Sequence, residues 1–69
     1  PVTRTVAKGD NVWTYWNEWI TNKGLDPALN PWEEYQNRFA RDNPHIPDIN
    51  ALPEGGKVLV SEWRLGYGP

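Results

Sequence analysis

The stretch Thr5-Val6-Ala7-Lys8-Gly9-Asp10-Asn11-Val12-Trp13 changes period at its centre, and that change decides the fold. On its upstream side Val2, Arg4 and Val6 alternate with Thr3, Thr5 and Ala7, the two-residue period of a short, half-buried strand from Val2 to Ala7. Lys8-Gly9 ends that strand. Asp10 then precedes an apolar-periodic run, where a short carboxylate serves as an N-cap for the first orphan N–H groups. A helix is expected from Asn11 to about Asn22. At 100° per residue Val12, Trp13, Tyr15, Trp16, Trp19 and Ile20 fall within an arc of roughly 160°, with Thr14, Asn17, Glu18 and Thr21 outside it.

Downstream, Lys23-Gly24 reads as a helix stop, and a loop carrying Pro27 runs to Leu29. Asn30-Pro31-Trp32-Glu33 reads as a second start, with Asn30 as N-cap, Pro31 at the first helical position and Glu33 placed to reach back as in a capping box. Trp32, Tyr35 and Phe39 recur at i, i+3 and i+7 as the buried stripe, and Glu34 and Arg38 form an i,i+4 pair on the solvent side. The helix ends near Asp42 because Asn43-Pro44 disfavours its continuation. His45 to Gly56, with Pro47, Pro53 and Gly55-Gly56, predicts turns and room for one short 3₁₀ segment; Lys57 to Ser61 predicts the second strand. Residues 62–69 read as a C-terminal extension. Two strands this short, at the two ends of the chain, pair antiparallel with both helices on one face: an α+β domain in the order β-α-α-β around one core.

With 69 residues there is room for one small domain, and no cysteine is present to staple it. Disulfides, cysteine-based zinc sites and thiol catalysis are excluded together. Five Trp, three Tyr and one Phe must supply the core instead. The helical period assigns Trp16 and Trp32 to it, and Trp13 and Trp19 as well, although these lie nearer the stripe edges. Trp63 divides evenly between packing on the sheet edge and an exposed contact. Seven Lys and Arg, scattered along the chain, against nine Asp and Glu give a net charge of −2. That balance lacks the basic excess that nucleic acid or an anionic membrane surface requires, and no apolar run reaches the roughly 18 residues of a membrane span. The chain begins at Pro1 with neither Met nor a secretory signal, and reads as a domain excised from a larger protein or a processed product.

Catalytic groups are sparse. Asp10 is first a cap, and Asn43-Pro44 first a helix stop. His45 is the sole histidine and lacks a neighbouring carboxylate cluster, so it is read neither as a metal ligand nor as a base. Glu33 and Glu34 point about 100° apart on a helix and cannot form an acid/base pair. Arg38 and Arg41 form a solvated face. The expectation is a protein that is not an enzyme and uses neither cofactor nor metal.

Two blocks resemble the lysin motif (LysM) family. Thr5 to Trp13 is similar to the family's opening, Thr-Val-x-x-Gly-Asp-Thr-Leu-Trp. Asn43-Pro44-His45-Ile46, then Asn50, Leu52-Pro53 and Gly56-Lys57-Val58-Leu59-Val60, is similar to its second half. The match runs from about Arg4 to Ser61. It implies a β-α-α-β fold and a non-catalytic module that binds N-acetylglucosamine-containing polysaccharide, peptidoglycan or chitin, in a shallow groove between the first strand–helix loop and the last helix–strand loop. Carried onto this chain, the groove residues are Gly9, Asp10, Asn11 and Val12 from one loop and Asn43, Pro44, His45 and Ile46 from the other. Asn11 replaces the usual threonine, Val12 the usual leucine and Trp16 a small residue, while the connection Leu25-Asp26-Pro27-Ala28-Leu29 is longer than usual. Trp16 demands a repacked core. The resemblance implies an extracytoplasmic, cell-wall-associated protein of bacterial or phage origin. Its alternative is a structural or protein-docking domain of a phage tail, baseplate or contractile injection particle.

Overall fold

A computed structural model describes residues 2–61 of the chain. Four elements follow in the order β1 (Val2–Thr5), α1 (Val12–Lys23), α2 (Trp32–Asp42) and β2 (Lys57–Val60), and the strands pair antiparallel, Val2 with Val60 and Thr5 with Lys57. The β-α-α-β order expected from the sequence is the order found. Trp63 and the extension 62–69 lie outside the described residues.

β1 is two residues shorter than expected. Val6 leaves the strand but keeps the pairing, donating to the Gly56 carbonyl (2.9 Å) and accepting from the Gly55 N–H (2.8 Å). The chain then turns at Lys8-Gly9: the Asp10 N–H donates to the Ala7 carbonyl (3.0 Å), and Gly9 takes φ 85°. A side chain at that φ is strained, so glycine is the residue that permits the turn. α1 begins one residue later than expected. Its N-cap is Asn11, not Asp10, with Asn11 Oδ1 accepting the Thr14 N–H at 2.9 Å. Asp10 is drawn elsewhere: its Oδ2 accepts from the Ala7 N–H (3.0 Å) and the Tyr15 hydroxyl (3.1 Å). α1 closes on Gly24 at φ 61°, with Gly24 N–H to Thr21 O (3.3 Å) and Leu25 N–H to Ile20 O (3.0 Å), the paired bonds of a Schellman motif. Leu25 then packs against the core.

α2 likewise starts one residue late, with Pro31 in the extended cap conformation and Trp32 as first helical residue. Between Asn43 and Lys57 the chain makes turns, with no 3₁₀ segment. The core comprises Val6, Val12, Tyr15, Trp19, Ile20, Tyr35, Phe39, Ile46, Val58 and Val60. Trp19 stacks on Tyr35 at 5.5 Å between centroids, and Tyr15 lies 6.1 Å from Phe39. The aromatic stripes of the two helices therefore interdigitate across the layer, replacing the absent staples. Trp13 is corrected outward, at 52% exposure, and Trp16 and Trp32 are only partly buried. The buried face of α1 is centred nearer Val12 and Trp19 than the middle of the sequence arc, because Tyr15 turns in towards Phe39.

Candidate functional site

A cleft of about 240 Å³ lies where the first turns of α1 and α2 meet the loop before β2. Asn11, Val12 and Trp13 form one wall, Trp32 and Gln36 a second, and Ile49 with Asn50 the third. Gln36 shares the Trp32 face because it is four residues on along the same helix. Asn50 is placed by an Asx turn, its N–H donating to Asp48 Oδ1 at 2.9 Å. None of the seven lining residues carries a charge.

The Trp13 ring neighbours a second indole. Its centroid is 6.4 Å from that of Trp16, tilted by 52°, and Trp16 is 5.8 Å from Trp32, tilted by 59°. Trp16 does not line the cleft but touches both tryptophans that do. Its indole N–H donates to the Asn30 carbonyl at 2.9 Å. Asn30 is buried at the end of the lengthened α1–α2 connection, where its Nδ2 donates to the Asp26 carbonyl (3.0 Å). The end of the α1–α2 connection thus supplies the acceptor for the Trp16 indole.

Of the eight residues expected to form a groove, the cleft gathers Asn11 and Val12. Gly9 is exposed in the preceding turn, and Asp10 sits below it in a polar knot. Asn43 is 0% exposed and its side chain is fully engaged: Nδ2 donates to Phe39 O (2.8 Å) and Leu59 O (2.9 Å), and Oδ1 accepts from Leu59 N–H (2.7 Å). Ile46 is buried in the core. Pro44 and His45 are exposed, and His45 Nε2 donates to the Lys57 carbonyl at 2.9 Å. Ser61 Oγ donates to Asp42 Oδ2 at 2.9 Å. Side chains from the end of α2 and the turn after it therefore occupy the outer edge of β2 like a third strand. This segment closes a sheet edge and contributes no wall to the cleft. From the loop before β2 the cleft takes Ile49 and Asn50 instead, of which Asn50 belonged to the matched block. Trp13 carried the ambiguous signal of an arc-edge position. Gln36 carried none beyond its spacing from Trp32.

Another cleft, about 220 Å³, is lined by Arg4, Tyr15, Glu18, Trp19, Asn22, Lys23 and Val60. Arg4 is held by Glu18 and lies 3.7 Å from Asp10 Oδ2, with its guanidinium 4.5 Å above the Tyr15 ring. Hydrogen bonding to Glu18, and then the nearby carboxylates, raise the Arg4 pKa. The Ala7 N–H, the Tyr15 hydroxyl and Arg4 hold the Asp10 carboxyl below its usual range. Burial, reinforced by the bond to Asp10, pushes the Tyr15 phenol up to about 12. Arg4 serves both carboxylates, and its bond to Glu18 ties β1 to α1. Among the described residues no group of three His, Cys, Asp or Glu converges as a metal site, and no helix is long and apolar enough to cross a membrane.

Compared with known proteins, the chain matches no protein-family model, no curated protein and no solved structure.

Proposed function

We propose that this chain is a non-catalytic, LysM-like module that binds N-acetylglucosamine-containing glycan, peptidoglycan or chitin, and so anchors a larger protein to a cell wall. The observation that carries the reading is the uncharged cleft, in which an exposed indole stands beside the amides of Asn11, Gln36 and Asn50. Such a lining suits a neutral ligand rich in hydroxyl and amide groups with apolar faces. It offers nothing to neutralise a phosphate and no paired carboxylates for hydrolysis. A shallow site buries little ligand, so affinity per module is weak and repeated modules supply avidity. Titration with chitin oligomers and with peptidoglycan fragments, followed by amide shifts, tests the proposal. Shifts centred on Asn11–Trp13, Trp32, Gln36, Ile49 and Asn50 are expected; an unchanged spectrum at millimolar ligand overturns it.

A second reading, docking within a phage tail, baseplate or injection particle, draws on the exposed apolar side chains Leu29 (63%) and Trp13 (52%). It predicts that glycan leaves the spectrum untouched while a neighbouring particle protein broadens the Leu29 and Trp13 signals.

A further inference from the structure

We infer that the outer edge of β1 is a docking site for an extended, acidic segment of a partner protein, which adds there as a new edge strand and sets an apolar side chain into the cleft between the sheet and α1. The inference uses none of the residues of the glycan cleft and does not depend on the glycan reading.

In an antiparallel pair, residues alternate between those that exchange hydrogen bonds with the partner strand and those that point both backbone groups away from it. Leu59 and Lys57 are of the second kind: both backbone groups of Leu59 go to the Asn43 amide, and the Lys57 carbonyl goes to His45. Their register partners Thr3 and Thr5 therefore turn their N–H and carbonyl groups out of the opposite edge. Nothing there repeats the part that Asn43 and His45 play on β2. Both threonines are exposed, and among the described residues no partner meets their outward backbone groups. An open edge of this kind is a template for another strand.

Charge decides the occupant. Lys57 reaches across the ladder, its Nζ donating to Thr5 Oγ1 at 2.6 Å, so an ammonium stands over the open edge on the solvent face of the sheet. On the helix face, the cleft beside Arg4 is lined by Lys23, the last residue of α1. Neither lysine forms an ion pair among the described residues, whereas Asp10 and Glu18 are both engaged by Arg4. A second copy pairing through β1 would set these cations against their own equivalents; a strand carrying carboxylates meets them instead. The residue opposite Thr5 lies about one strand spacing, roughly 4.8 Å, from the threonine that Lys57 covers, and takes the first acid. Its neighbour, opposite Arg4, shares the helix face, where an apolar side chain enters the cleft beside Trp19. Val60, the register partner of Val2, lines that cleft together with Lys23, so a residue opposite Val2 takes the second acid.

The probe built on this register is the capped peptide Thr-Glu-Val-Thr-Glu-Thr, titrated into the full chain while amide shifts are recorded, beside the same peptide with lysine for glutamate. We expect shifts centred on Thr3, Thr5, Lys23 and Lys57, and about tenfold tighter binding of the glutamate peptide at low salt, the gap closing as salt rises. N-methylation of the second and fourth peptide residues, whose N–H groups face β1 in the antiparallel register, should abolish binding, whereas N-methylation of the third and fifth should not. Thr3→Pro removes an outward N–H and spares the ladder to β2; it should weaken binding about tenfold, with folding checked by circular dichroism. No shift at millimolar peptide, equal binding of the two peptides, or indifference to the position of the methyl groups overturns the inference. So does a concentration-dependent dimer that shifts Thr3 and Thr5 without peptide, because a second copy is then the occupant. Exchange protection of the Thr3 and Thr5 amides in the peptide-free monomer also overturns it, because the edge is then already filled. Should Thr3→Pro fail to fold, the methylated peptides decide the matter.

Discussion

Replacing Asn43 with alanine separates a structural role from a ligand-binding one. The amide makes three hydrogen bonds while fully buried, two of them pairing with both backbone groups of Leu59. Alanine leaves the Leu59 N–H and carbonyl without those partners, whereas the Phe39 carbonyl keeps the Asn43 backbone N–H at 3.1 Å. At about 1 kcal/mol net per bond, with the Phe39 bond counted lightly, the loss is about 2–3 kcal/mol. A chain of this length has roughly 3–10 kcal/mol of stability in all, so the melting temperature should fall by roughly 10–20 °C. Asn43→Asp should be at least as harmful at neutral pH, because a carboxylate would face the Phe39 and Leu59 carbonyls where an NH₂ group now donates. Urea and thermal unfolding followed by tryptophan fluorescence provide the assay. A loss below about 0.5 kcal/mol for Asn43→Ala, or a stable variant with glycan affinity selectively abolished, would refute the assignment of Asn43 to the sheet edge.

Other outcomes follow from the same contacts. Asp10 has a depressed pKa, so the stability it contributes is present above the ordinary carboxylate pKa of about 4 and is lost as pH falls through its lower folded value; acid titration of Asp10→Asn should give a flatter stability profile below pH 4 than wild type. Tyr15 runs the other way: its phenol is held protonated, so that stability is complete below about pH 10 and should decline as pH rises towards 12, an alkaline loss that Tyr15→Phe should lack. Gly24→Ala meets no steric obstacle yet must adopt φ 61°, and unfolding should show a loss of about 1 kcal/mol, with Gly24→Asn milder. Phe39→Ala, at a position with no exposure, should cost about 3–5 kcal/mol and leave little folded protein by circular dichroism, whereas Trp13→Ala should change stability far less.

Which features could be read from the chain depended on how local their causes were. The stripe Trp32, Tyr35, Phe39 and the stop at Gly24 are set by residues within a turn or two of each other, and both were legible. The cap of α1 was not: Asp10 and Asn11 are equally good cap residues, and the choice is made by Ala7, Tyr15 and Arg4, the last of them in the other layer. Trp13 and Trp19 have similar standing on the helical arc, yet one is exposed and the other stacks on Tyr35, a difference set by how α2 rests against α1. Asn43 shows the same limit more sharply. Its place in the matched block marked it for the groove, but its partner Leu59 lies sixteen positions away and engages both ends of its amide. Asn11 and Val12 were found at the cleft because the turn at Gly9 positions them; Gln36 and Ile49 reach it only through the docking of separate elements.

The amide that stands in for a strand also bears on the order in which the molecule assembles. Pairing β1 with β2 joins Val2 to Val60, almost the whole chain, whereas docking Asn43 onto Leu59 closes a far shorter loop. The second helix, the turns after it and β2 can therefore come together as a kinetic unit before the N-terminal strand arrives. Substitutions at Asn43 should slow folding, those at Val2 and Thr3 should chiefly speed unfolding, and the ratio of the two effects would reveal the unit in a refolding experiment.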